Sequence, residues 1–196
     1  MGKGAIDRKL QAISCNIKLS ITNNDDLMKN HFGRYPVIAI SFKCTSQITS
    51  YDETISFCEC VICAAFKAHG YLGTSGELSY LEKEIYTKWC KEEWNVKVVN
   101  KLKVLMGLKT LVEYVLKHFG RKIVILVDEY DAVITQAMLR IESIQELKDI
   151  IQDCTSIISN AVKENPWENW MQYAFITGIS HIAGMGLSGS NVHISG

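Results

Sequence analysis

The sequence predicts a layered α/β fold with a parallel sheet, and three apolar segments separated by helical patterns carry that prediction. Residues 36–42, 122–127 and 173–179 are mainly apolar, which is typical of strands that helices cover on both faces. The stretches between them repeat apolar side chains at helical spacing and are long enough to connect parallel strands. Such alternation predicts right-handed strand–helix–strand units.

Individual elements follow from shorter signals. Residues 12–21 alternate apolar and polar side chains, which predicts a half-buried strand suited to the border of a sheet. We therefore expect an N-terminal segment over residues 1–24 and one domain over residues 25–196. Ser50 with Glu53, and Ser143 with Glu146, predict the starts of two long helices as capping boxes. Gly120 predicts the end of the helix before the second apolar strand.

Composition excludes several classes of protein. The chain has 196 residues, of which 47% are hydrophobic, and this is enough to bury the core of one domain. Lysine plus arginine (21) equals aspartate plus glutamate (21), so no basic excess is present for nonspecific binding of nucleic acid. No apolar run approaches the length of about 18 residues that predicts a membrane-spanning helix.

The seven cysteines form an odd set scattered through apolar segments, which favours a reducing, intracellular compartment, either cytoplasmic or nuclear. Cys58, Cys60 and Cys63, with His69 after them, also suggest a zinc site. On a helix, however, Cys58 and Cys60 point about 200° apart. Structural thiols are therefore the preferred interpretation.

The candidate chemistry lies at the carboxyl ends of the predicted strands, where parallel sheets bind ligands. These ends carry Lys43, the acids Asp128 and Glu129, and Thr177. An apolar strand that ends in two acids has a Walker B pattern: Asp128 is placed to hold a phosphate-bound magnesium ion and Glu129 to orient or deprotonate water. Thr177 is placed to sense the terminal phosphate or the same water. A solvated turn after a buried strand is the alternative interpretation of the two acids.

Three ordered blocks add a family resemblance. Residues 31–42 read HFGRYPVIAISF, residues 116–131 read LKHFGRKIVILVDEYD, and residues 175–182 read FITGISHI. Together they resemble the AAA-ATPase-like domain, a P-loop NTPase module commonly found N-terminal to a PD-(D/E)XK nuclease-like domain. The resemblance implies a three-layer P-loop NTPase-like parallel sheet flanked by helices, with ATP and Mg²⁺ as cofactors.

The resemblance also assigns roles to residues. Asp128 and Glu129 correspond to the Walker B acids, with Asp128 on the metal and Glu129 catalytic. Thr177 takes a sensor-like catalytic position, and Asp131 is the family's second aspartate. Asp131 and Lys43 are the candidate cofactor-binding residues.

The chain departs from the family pattern at the phosphate loop. No G-x-x-x-x-G-K-[ST] sequence occurs, and residues 184–190 have only its glycine spacing, with serine in place of lysine. His181 stands where many family members carry arginine. We therefore expect an incomplete, truncated fold that lacks the first strand and the phosphate loop. Its strand at residues 173–179 should form an open edge that a protein partner or self-association covers.

Two functions are compatible with the sequence. The first is a non-hydrolysing α/β interaction module, or a fragment of an ATPase, that keeps Walker B and the sensor-like strand. The alternative is weak binding and hydrolysis of Mg–ATP, as in the parent family. A nuclease is disfavoured because no acid is followed by Glu-x-Lys on a neighbouring predicted strand.

Overall fold

The computed structural model describes residues 23–91, 101–163 and 171–179, together with the backbone of residues 192–195. It divides into two compact units, Met1–Pro36 and Val37–Gly196. The predicted domain boundary between residues 24 and 25 stays a prediction. The predicted strand at residues 12–21, the glycine-spaced loop at residues 184–190 and His181 lie outside the described residues.

The first unit contains a short helix, α1 (Asp25–Asn30). It begins after Asn24, whose side chain accepts a hydrogen bond from the Leu27 amide at 3.1 Å. Asp25 and Asp26 lie in its first turn and Lys29 in its last, which suits the helix dipole. None of the α1 residues is buried, so local capping rather than packing defines this helix.

The second unit alternates strands and helices in the predicted order. Its elements are β1 (Val37–Ser41), α2 (Tyr51–Ala68), a 3₁₀ turn (Gly70–Thr74), α3 (Tyr80–Lys91), α4 (Lys101–Phe119), β2 (Ile123–Asp128), α5 (Ala132–Met138), α6 (Ile144–Lys163), β3 (Met171–Thr177) and β4 (Val192–Ser195). Among the described residues, none of the helices combines the length and the apolar character needed to cross a membrane.

The four strands form one parallel sheet in the order β1-β2-β3-β4. The predicted α/β architecture, a parallel sheet flanked by helices and incomplete relative to a P-loop NTPase, is confirmed. The prediction of an open edge along the third strand is wrong, because β4 pairs with β3 from residue 174 to residue 177. The outer edges of the described sheet are therefore β1 and β4.

The predicted helix boundaries have identifiable capping groups. Ser50 Oγ accepts a hydrogen bond from the Glu53 amide at 3.3 Å, and Ser143 Oγ accepts one from the Glu146 amide at 3.3 Å. Gly120 has a φ of +59° and donates its amide to the Leu116 carbonyl at 2.8 Å, which ends α4 in the conformation that glycine favours. These observations confirm the predicted starts of α2 and α6 and the predicted end of α4. The carboxylates of Glu53 and Glu146 accept from the amides of Thr49 and Tyr51 rather than from those of the capping serines.

The two faces of the sheet differ in burial. Alternate strand residues, among them Ile38, Ile125 and Ile176, are fully buried and join the helices in one hydrophobic core. The opposite side, which we call the open face, is formed by Val37, Ala39, Val124, Leu126, Tyr173 and Phe175. Three of these side chains are substantially exposed: Val37 by 46%, Leu126 by 38% and Phe175 by 43%. The described residues thus supply a sheet and one helical layer.

Within the helical layer, Gly107 permits close packing of α4 on α2 and α3. A Cβ atom at position 107 would lie 2.8 Å from Trp89 Cζ2 and 3.0 Å from Ile62 Cγ2. Trp89 cannot move aside easily, because it is 2% exposed and stacks on Phe66 with ring centroids 5.1 Å apart. The backbone approach that a glycine allows therefore fixes this part of the core.

Gly107→Ala should lower the free energy of unfolding by about 1–2 kcal/mol. Overpacking costs about 1–3 kcal/mol, and the better helix propensity of alanine offsets up to about 1 kcal/mol of it. Urea unfolding monitored by circular dichroism measures the loss. Combining the change with Trp89→Phe should recover part of it relative to the sum of the single variants. Strict additivity would argue against the Trp89 contact as the cause.

Candidate functional site

The carboxyl ends of β1, β2 and β3 carry three polar residues, of which Asp128 and Thr177 belong to the predicted site. Ser41 is in register with Asp128, and Thr177 ends the neighbouring strand. Thr177 Oγ1 donates a hydrogen bond to Asp128 Oδ1 at 2.6 Å. Asp128 and Thr177 are both exposed, so the pair faces solvent at the rim of the sheet. The ends of β2 and β3 are therefore joined by a direct side-chain contact.

The loop after β2 is held by main-chain hydrogen bonds to both neighbouring strands. The Asp128 carbonyl accepts from the Phe42 amide at 2.8 Å, and the Tyr130 amide donates to the Thr177 carbonyl at 3.0 Å. Glu129, between them, has a φ of +52°. A non-glycine residue in this left-handed region is strained, and such strain concentrates at functional sites. The backbone thus fixes a half-buried Glu129 next to the exposed Asp128.

Asp131 occupies a different environment from the other acids. It is 2% exposed, and its two carboxylate oxygens lie 3.2 Å and 3.1 Å from the Ile179 amide that donates to them. Gly178 makes this approach possible, since a Cβ atom there would be 2.6 Å from Asp131 Oδ1. Asp131 therefore joins the start of α5 to the residues that follow β3.

Lys43 lies in the segment that follows β1, and its side chain is exposed. Its amide donates to Ser41 Oγ at 3.3 Å. Within the described residues, no ion pair joins Lys43 to Asp128 or Glu129. The structure brings Asp128 and Thr177 into direct contact, with Glu129 next to Asp128 in the chain and Asp131 buried. Lys43 follows Phe42, whose amide donates to the Asp128 carbonyl.

A comparison of sequences shows the family to which the chain belongs. The sequence model of a family described as Predicted AAA-ATPase matches residues 16–188, which is most of the chain. The chain belongs to this AAA-ATPase-like family. No curated protein and no solved structure matches it.

An AAA-ATPase-like protein is expected to bind Mg²⁺ and a nucleotide. The described residues at this rim suit the metal ion better than the phosphates. The exposed Asp128 carboxylate and the adjacent Thr177 hydroxyl are oxygen donors of the kind that Mg²⁺ prefers. Phosphates need a cradle of backbone amides and a cation. Among the described residues at this rim, the Ile179 amide already donates to Asp131, so it is committed to another acceptor.

Two contributors to this AAA-ATPase-like site were not assigned a role from the sequence. Tyr130 is 2% exposed, and its ring lies where a side chain on Gly178 would have to go. The sequence shows Gly178 after Thr177 at a strand end. The requirement for glycine at this position follows only from the three-dimensional positions of the Tyr130 ring and the Asp131 carboxylate.

The three cysteines considered as zinc ligands lie in α2, where Cys58 and Cys63 are buried and Cys60 is exposed.

Proposed function

We propose that this chain is a non-hydrolysing AAA-ATPase-like module that acts through protein contacts. The observation that supports the proposal is the open face, where apolar side chains of a parallel sheet remain exposed. Parallel sheets are normally covered on both faces, so an exposed apolar face favours a binding role. The contact surface expected from the sequence was a sheet edge, and the outer edges of β1 and β4 remain further positions for a partner or a second copy.

The missing phosphate loop supports the non-hydrolysing half of the proposal. The sequence contains no G-x-x-x-x-G-K-[ST] pattern, so the usual amide cradle and lysine are not supplied by these residues. Each charge-assisted hydrogen bond to phosphate contributes about 1.5–3 kcal/mol. Loss of several of them lowers nucleotide affinity by many orders of magnitude, even with Asp128 available to a metal ion.

A titration with a fluorescent ATP analogue and Mg²⁺, followed by a phosphate-release assay, tests this proposal. We expect no saturable binding below about 1 mM and no release above the buffer rate. Asp128→Ala should then match the wild type, as should the control Glu142→Ala, which removes an exposed acid outside the site. Micromolar binding that Asp128→Ala abolishes and Glu142→Ala preserves would contradict the proposal.

Weak binding and hydrolysis of Mg–ATP is the second candidate, and the Asp128–Thr177 contact favours it. In that case Asp128 holds the metal ion, Glu129 is the general base and Thr177 senses the terminal phosphate. Asp131 and Lys43 complete this candidate as cofactor-binding residues. Glu129→Gln separates the two functions, because it should slow phosphate release only if Glu129 activates water.

The proposed compartment is intracellular, either cytoplasmic or nuclear. The described cysteines 44, 58, 60, 63, 90 and 154 are all free thiols, and four of them are buried. Free thiols persist best where glutathione and thioredoxin keep cysteines reduced.

A further inference from the structure

Two buried thiols meet between α2 and α6. Cys58 on α2 is fully buried, and Cys154 on α6 is 3% exposed. Their Sγ atoms lie 4.0 Å apart, although the two residues are 96 positions apart in the sequence. Both are free thiols. Because the sulfur atoms of a disulfide are about 2.05 Å apart, these two need to approach each other by about 2 Å to form one.

A second contact holds the two helices in register. Tyr51, the first residue of α2, donates its amide to Glu146 Oε1 near the start of α6 at 2.7 Å. Cys58 and Cys154 follow these two residues by about two helical turns each. Rotation about χ1 swings a cysteine sulfur, and packed helices shift by about 1–2 Å in conformational changes. The two sulfurs can therefore reach bonding distance while α2 and α6 stay packed.

The burial of the pair favours a small oxidant. A bulky disulfide such as oxidised glutathione forms a mixed disulfide only where its peptide has room, and the core around Cys58 and Cys154 is closed. Hydrogen peroxide is little larger than water, and local opening of a folded protein is enough to admit it. It oxidises a thiol to a sulfenic acid, which then condenses with a neighbouring thiol.

The two sulfurs have different roles in this reaction. The hydrogen bond with Cys58 and burial raise the pKa of the Cys154 thiol well above its ordinary value, so Cys154 keeps its proton and Cys58 reacts first. The Cys58 thiolate attacks one peroxide oxygen, and the O–O bond breaks. With the proton that Cys58 released, this step gives a sulfenic acid on Cys58 and one water molecule. Cys154 Sγ then attacks Cys58 Sγ, the S–O bond breaks, and the departing hydroxide takes the Cys154 proton as the second water molecule.

We propose that hydrogen peroxide converts Cys58 and Cys154 to a reversible disulfide that joins α2 to α6. This inference goes beyond the proposed function and does not depend on nucleotide or on a protein partner. α2 lies in the connection from β1 to β2 and α6 in the connection from β2 to β3, so the bond ties together the helices on either side of β2 in the chain. Transient, redox-sensing disulfides are the usual kind inside cells, which agrees with the proposed compartment.

Treatment of the reduced full chain with hydrogen peroxide tests the proposal. After the remaining thiols are blocked with N-ethylmaleimide, digestion without reductant and mass spectrometry should show the loss of two hydrogen atoms and a linked peptide pair that contains Cys58 and Cys154. Dithiothreitol should reverse both. The melting temperature of the oxidised chain should rise by about 5–10 °C, because the bond closes a long loop in the unfolded state. In urea the same treatment should instead distribute linkages over several cysteine pairs.

Matched variants separate the roles of the cysteines. Cys58→Ser should abolish the linkage, and Cys154→Ser should leave a sulfenic acid on Cys58 that dimedone labels. The control Cys60→Ser removes an exposed thiol from the same helix and should keep the linkage. The proposal is overturned if the folded wild type shows no Cys58–Cys154 linkage, or the same mixture of linkages as in urea. A linkage of Cys58 to Cys44, whose Sγ donates to the Ser46 carbonyl at 3.5 Å, would also overturn it. These outcomes are read from the wild type alone, so they hold even if a serine variant fails to fold.

Discussion

Gly178→Ala is expected to lower the free energy of unfolding by about 3 kcal/mol. A Cβ atom at this position would lie 2.6 Å from Asp131 Oδ1 and 2.6 Å from Tyr130 Cε1. Both neighbours are 2% exposed, so neither has free space into which it can shift. Overpacking of this kind costs about 1–3 kcal/mol, and separation of Asp131 from the Ile179 amide adds the cost of a weakened buried hydrogen bond.

Urea unfolding at neutral pH measures this loss, with Gly76→Ala as the matched control. A Cβ atom on the exposed Gly76 meets nothing within 4 Å, so its substitution should change stability by less than about 0.5 kcal/mol. The Gly178 variant should also separate Thr177 from Asp128, since both belong to the segments that Asp131 joins. Equal stability of the two alanine variants would contradict the packing around Tyr130 and Asp131.

The positions of the first three strands along the chain were predictable from the sequence because each strand has a strong local pattern. Residues 36–42, 122–127 and 173–179 are apolar, and capping residues such as Ser50 and Ser143 mark the intervening helices. β4 was not predicted, since the four residues of Val192–Ser195 are too few for a periodic pattern. α5, with seven residues, was missed for the same reason.

Burial was less predictable than secondary structure. The apolar strands suggested cover on both faces, but Leu126 is 38% exposed. A sequence pattern reports which side chains suit an interior, and it does not report whether the described part of the chain supplies the covering element. At the site, strand-end position placed Asp128 beside Thr177. The burial of Asp131 depends on Gly178 and Tyr130 in three dimensions, which no local pattern encodes.

Acidification is expected to destabilise the second unit through His69, the residue that ends α2. This imidazole is 8% exposed, and its Nδ1 atom lies 2.6 Å from the Tyr71 hydroxyl. The Tyr71 ring in turn contacts the rings of His118 and Phe119, with centroids 4.8 Å and 5.3 Å away. Burial disfavours the charged imidazolium and lowers the pKa of His69 from 6.5 to about 4.

The direction of the pH effect follows from this lowered pKa. Between pH 6.5 and about 4 the unfolded chain binds a proton at His69 that the folded chain does not, so stability falls as the pH decreases through this window. Above pH 6.5 the neutral His69 makes its full contribution to the free energy of unfolding. Near pH 4 the loss of this contribution approaches about 3 kcal/mol.

Urea unfolding of the wild type and of His69→Gln at several values between pH 7 and pH 4 isolates the His69 contribution. Glutamine has no titratable group, so the variant should lose less stability on acidification, and the difference between the two proteins should approach about 3 kcal/mol. His31→Gln removes an exposed imidazole from the first unit and should follow the wild-type curve. Parallel curves of stability against pH for the wild type and His69→Gln would contradict the prediction, because the imidazole would then take up its proton in the folded state without penalty. In that case the packing of Tyr71 against His118 would have to loosen to admit the charge.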